Sequence, residues 1–130
     1  MLKAGWCSRG KQDEKQGYNY YMKKLRPRVR ALKLAKEVRK RLTNTLGQPV
    51  QVIMFGSQAR GDTTKESDID LLVVLPSINN DTLKITSDIV WEVGFEAGKI
   101  ISAIPDTKEN MKRYGFLPFY RNVKEEGVVA

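Results

Sequence analysis

Read for its apolar positions, the chain falls into short periodic segments separated by polar turns. From Pro27 onward Val29, Leu32, Ala35, Val38, Leu42 and Leu46 recur every three or four residues, which predicts a helix with one apolar stripe. Pro27 suits a first helical turn, and Gly47 with Pro49 ends it. Val50 to Phe55 is nearly all apolar and predicts a strand covered on both faces. Gly56 to Ser67 is polar loop with room for one helical turn. Asp68 to Leu75 predicts a second strand, stopped by Pro76. About a dozen residues lie between the two strands, which permits either an antiparallel return or a short crossover. Asn80 or Asp81 can cap a helix carrying Leu83, Ile85, Ile89, Val90, Val93 and Ala97 on one side, with Trp91 near its edge and Gly98 closing it. Lys99 to Ile104 predicts a third strand before Pro105. Two short helices are expected at Thr107 to Tyr114 and Leu117 to Glu126. This order, without repeats, predicts a small α/β or α+β domain with a mixed β-sheet flanked by helices.

Residues 1–22 follow neither period and mix Gly5, Gly10 and Gly17 with Lys and Gln. The expectation is a flexible basic tail at 1–22 and a folded domain over 23–130. Tyr18, Tyr20 and Tyr21 stand beside Lys23 and Lys24, the aromatic and basic mixture of single-stranded nucleic-acid binders. Packing of the same segment on its own domain is the plainer reading.

Charge adds to this picture. The net charge is +8, and residues 1–46 hold 14 of the 23 Lys and Arg but 3 of the 15 Asp and Glu. The basic third is therefore either a solvated surface or a contact for RNA or another acidic partner. Cys7 is the only cysteine and histidine is absent, so no disulfide or zinc cluster is expected and any metal would be held by oxygen, as Mg²⁺ or Mn²⁺. The longest aliphatic run, Leu71 to Leu75, is far too short to span a membrane. Met1 to Trp6 leads into polar sequence rather than an apolar leader. A cytoplasmic protein without membrane contact is expected.

The chemistry concentrates between Phe55 and Val74. Side chains alternate along a strand, so Asp68 and Asp70 share a face, about 7 Å apart. Two carboxylates this close repel unless a cation lies between them. At the other end Gly56 permits a tight turn, and Ser57 offers a hydroxyl and an N–H to a phosphate. Arg60 can add a charge-assisted contact. Taken singly, each has an ordinary reading: a turn, a capped strand end, a surface ion pair.

Together, Gly56-Ser57-Gln58-Ala59-Arg60-Gly61-Asp62 and Ser67-Asp68-Ile69-Asp70-Leu71-Leu72-Val73 resemble the Gly-Ser-x10-Asp-x-Asp signature of the DNA polymerase β-like nucleotidyltransferase superfamily. Within it they look like the minimal nucleotidyltransferase (MNT) branch. The resemblance covers roughly Ala31 to the C-terminus. It implies the polymerase β-like nucleotidyltransferase fold, phosphate binding at Gly56 and Ser57, and Mg²⁺ ligation by Asp68 and Asp70. It also implies attack of a hydroxyl on the α-phosphate of ATP or another NTP. In the MNT branch the acceptor implied is a tyrosine of a small helical HEPN-type toxin, with the transferase as antitoxin. Active members carry a third carboxylate on a later strand. Here that strand, Lys99 to Ile104, has no acid, and Ser102 takes the expected position. Asp106 is expected beyond the strand end and out of reach, and Glu92 and Glu96 on the preceding helix are expected in solvent. The alternative is a catalytically weakened module that binds nucleotide, RNA or a partner protein.

Overall fold

A computed structural model describes residues 29–61 and 68–130. The expected tail at 1–22, its tyrosines, the helix start at Pro27 and the loop residues 62–67 lie outside the described residues. Helix α1 (Val29–Leu46) leads into strand β1 (Gln51–Phe55), a helical turn α2 (Gly56–Arg60) and strand β2 (Ile69–Val74). Helix α3 (Asn80–Ala97), strand β3 (Ile101–Asp106), helices α4 (Lys108–Arg113) and α5 (Pro118–Glu126) and a short strand β4 (Val128–Val129) complete the order. The sheet runs β3-β2-β1-β4. Strands β1 and β2 are antiparallel, which settles the open connection, while β2 and β3 are parallel through α3. This is the expected mixed sheet flanked by helices.

Alternation along the strands divides the core in two. Val52, Met54, Ile69, Leu71 and Val73 face α1 and α3 and are closed off from solvent. Ile53 and Leu72 face the other way, beneath Val123 of α5. Burying a side chain of this size contributes about 1.5–3 kcal/mol, so the largely buried β1–β2 pair anchors the described fold. Helix α1 buries Ala31, Ala35, Val38 and Leu42. Val29, assigned to its apolar stripe, is instead 68% exposed, because the helix meets the sheet one position further round at Ala31. Arg41 ties α1 to α3 through Glu92 (2.7 Å) and Glu96 (2.9 Å) while also holding Glu37 of its own helix (2.7 Å). The two glutamates expected in solvent are thus exposed but paired.

The capping signals place α3 closely. Asn79, one residue earlier than expected, accepts from the N–H of Thr82 at 3.0 Å, and the Asn79 N–H donates to the Thr82 hydroxyl at 2.9 Å. Gly98, at φ +68°, closes the helix as expected. Leu83 turns outward rather than into the core, and Trp91 and Phe95 stack on the outer surface with ring centres 4.9 Å apart.

Two differences concern the ends of the sheet. Strand β3 runs through Pro105 and ends on Asp106, so Asp106 lies in the strand rather than beyond it. A proline is tolerated here because β3 is the outermost strand. Strand β4, which no periodicity announces, pairs Val128 and Val129 with Met54 and Ile53.

Asp106 is buried, and three donors reach its carboxylate: the Thr107 N–H (2.8 Å), the Asn110 amide (3.0 Å) and the Tyr120 hydroxyl (2.6 Å). These bonds hold α4 and α5 to the end of the sheet. Burial, then the bond to Asp106, pushes the Tyr120 phenol up to about 12. Replacing Tyr120 with Phe is expected to cost about 1–3 kcal/mol in urea unfolding, since a buried carboxylate loses a donor. A raised phenol favours the folded state while protonated. Wild-type stability from this group is therefore complete below the unfolded value of about 10 and lost as pH rises towards 12. The Phe variant should lack that alkaline decline.

Candidate active site

The site forms where β1 leaves the sheet and β2 enters it. Phe55, the last residue of β1, pairs with Asp70, and on the other side Asp70 pairs with Ser102 of β3. Paired residues share a face, so Asp70 and Ser102 lie on the side opposite α1 and α3. Helix α5 covers the β1 part of that face, with Phe55 against Phe119 edge-on at 5.5 Å. Towards β3 the face is open: Ser102 is exposed and Ile104 is 42% exposed. A substrate therefore has access to Asp70 from the β3 side.

Asp68 is exposed just before β2, whereas Asp70 is half-buried within it. Between them Ile69 is buried in the core, and its N–H donates to the Ile100 carbonyl at 3.0 Å. The apolar middle residue thus fixes both carboxylates on the opposite face. Burial, and secondarily the charge of Asp68, raises the Asp70 carboxyl above its ordinary value. An acid held in this way gains from a nearby cation.

Gly56 brings the second half of the motif onto the first. It turns at φ +76°, and a Cβ built there would lie 2.6 Å from Oδ2 of Asp70. Only a glycine lets the chain turn and approach the carboxylate at once. Ser57 follows as the second residue of α2, which is anchored by Gln58 and Ala59, both buried. The turn is consequently fixed relative to Asp70. Arg60, at the end of α2, pairs with Glu126 of α5 at 2.9 Å, the ion-pair role that competes with phosphate contact. Glu126 could not be anticipated, because it lies at the far end of the sequence.

Among the described residues no third acid joins the pair. Among the described residues no group of three His, Cys, Asp or Glu side chains could hold a metal. Asp106, four residues beyond Ser102 along β3, is about 13 Å further on and fully engaged by its three donors. An exposed and a half-buried carboxylate with a glycine turn against the second suit a hard, oxygen-preferring cation that shares its remaining ligands with a polyphosphate.

The layout is that of a nucleotidyl-transfer fold, a Gly-Ser turn and an Asp-x-Asp strand on neighbouring antiparallel strands. Comparison with known proteins agrees: residues 32–130 match the nucleotidyltransferase domain family. The chain belongs to that family, in its minimal nucleotidyltransferase branch. A protein of Methanocaldococcus jannaschii named "Putative protein adenylyltransferase" is 37% identical over 83 residues, covering 64% of this chain and 79% of the relative. A second of the same name and organism is 43% identical over 58 residues, covering 42% of this chain and 40% of that relative. No solved structure gave a significant match. Membership implies a nucleoside triphosphate substrate and, as is usual in the family, a divalent metal. No helix among the described residues is long and apolar enough to cross a membrane.

Proposed function

We propose that the chain is a Mg²⁺-dependent adenylyltransferase that moves AMP from ATP onto a hydroxyl of a protein, in the MNT manner a tyrosine of a small helical HEPN-type toxin. The observation that supports this reading is the close approach of Gly56 to Asp70, which puts the Gly-Ser turn directly beside that carboxylate. The names of the relatives support AMP and a protein acceptor.

In this reading Gly56 and Ser57 hold the triphosphate, and Asp68 and Asp70 hold Mg²⁺. The bound cation supplies neutralisation of charge on the phosphoryl oxygens. The acceptor oxygen approaches over the open face beside Ser102 and forms a bond to the α-phosphorus. The bond from that phosphorus to the bridging oxygen breaks, and pyrophosphate leaves. The hydroxyl proton passes to solvent or to a base on the acceptor protein, since Ser102 cannot take it. Cytoplasmic location accords with this role.

Ser102 also favours a second reading, in which the protein binds nucleotide and acts on its partner by contact. Incubation with α-labelled ATP and Mg²⁺, with and without a tyrosine-bearing helical partner, separates the two. Label on the partner that disappears with Asp68→Asn supports transfer. Ser102→Asp should then raise the rate about 100-fold, at the lower end of the usual range for a positioned base. Unlabelled partner in every reaction, alongside saturable ATP binding, would leave the contact reading in its place.

A further inference from the structure

The far end of the sheet carries a different chemistry. Glu37, the acid of α1, is taken by Arg41, which also takes Glu92 and Glu96. Lys33, Lys36 and Lys40 line, with Glu37 between them, a shallow hollow along the outside of α1, and the three lysines pair with no carboxylate among the described residues. Arg39 closes this hollow and also walls a second, larger one of about 660 Å³. That hollow is floored by Gln51 and Val74, at the end of β1 and β2 remote from Asp68 and Asp70, and Lys108 lies on its other side. No carboxylate among the described residues neutralises Arg39 or Lys108, and the buried Nε of Arg39 has no hydrogen-bond partner there. Lys108 and Gln51 continue into a third hollow that holds Lys112 and Lys124.

We infer that these three adjoining hollows form a track for the phosphate backbone of a nucleic-acid strand, bound without base specificity. Cations left unpaired on neighbouring concave surfaces, far from the acidic site, are arranged for a polyanion rather than for one small ion. Lys33 to Lys40 covers about 10 Å along the helix axis, long enough to meet more than one phosphate of an extended strand. The track extends the basic character beyond the N-terminal third, onto α4 and α5. It is independent of the transfer reaction.

The test is fluorescence anisotropy of the full chain with labelled 20-nucleotide single-stranded RNA and DNA of the same sequence, from 50 to 300 mM KCl. Arg39→Gln with Lys108→Gln should weaken binding about tenfold or more at 100 mM, and flatten the salt dependence by about 0.7 per lost contact. Lys36→Gln with Lys40→Gln, both exposed positions, should do the same with an unchanged melting temperature. Both variants should keep the ATP-dependent labelling of the wild type. Equal effects on RNA and DNA support a backbone track, and a larger effect on RNA supports the same track with a ribose contact. Wild-type affinity in both variants, or an unchanged salt slope, would overturn the inference. So would displacement of the RNA by polyglutamate at equal charge concentration, which would assign the surface to an acidic protein.

Discussion

Asp70→Asn is expected to lower nucleotidyl transfer by about 100-fold or more while making the metal-free protein more stable at neutral pH. The two effects have one cause. Asp70 is half-buried beside Asp68, and both circumstances raise its carboxyl in the folded state. Ionising it therefore works against folding. That penalty is absent below the ordinary carboxylate range of about pH 4 and complete once pH exceeds the raised folded value. Asparagine keeps the shape and removes the charge, so its melting temperature should exceed that of the wild type at pH 7.5 and approach it at pH 4. Mg²⁺ with ATP should then raise the melting temperature of the wild type but not of the variant, as ligand binding to the folded state requires. A variant that is both less stable at pH 7.5 and still stabilised by Mg²⁺ would remove Asp70 from the metal site.

The second large effect is expected from Gly56→Ala. Alanine at φ +76° costs about 1–2 kcal/mol in the backbone alone. Its Cβ would also stand 2.6 Å from Oδ2 of Asp70, so the carboxylate must swing away or the turn must lift. Either movement would separate the proposed phosphate and metal positions, and a misplacement of about 1 Å costs roughly 100-fold in rate. Gly47 provides the control. It has a similar φ, +69°, but open space where a Cβ would go. Gly47→Ala should share the loss of stability in urea unfolding and retain transfer activity. Equal activity in the two variants would mean that the contact with Asp70 is irrelevant.

These contrasts also show which information the sequence carries. The two carboxylates were legible because strand alternation is local: Ile69 had to be buried, which turns Asp68 and Asp70 together. The cap at Asn79 and the close of α3 at Gly98 were legible to within a residue for the same reason. The approach of Gly56 to Asp70 was not, because it depends on the pairing of Phe55 with Asp70 across two strands. Pro105 read as a stop, although on an outer strand it is only a passenger. Strand β4 is two residues long and exists because β1 offers it a free edge. The partner of Arg60 likewise depends on where α5 finally lies.

The sheet order has a kinetic consequence. Pairing Ile53 with Leu72 closes a short loop, pairing Ile69 with Ile101 a longer one, and pairing Ile53 with Val129 spans most of the domain. Loop-closure entropy grows with that separation, and contacts between distant residues are slow to form. The hairpin that joins Gly56 to Asp70 therefore assembles early, and the C-terminal segment docks onto it late. Amide hydrogens of β1 and β2 should exchange slowest, and those of α5 and β4 fastest. The carboxylate pair would then survive partial opening of the domain, while the Arg60–Glu126 tie is made last and released first.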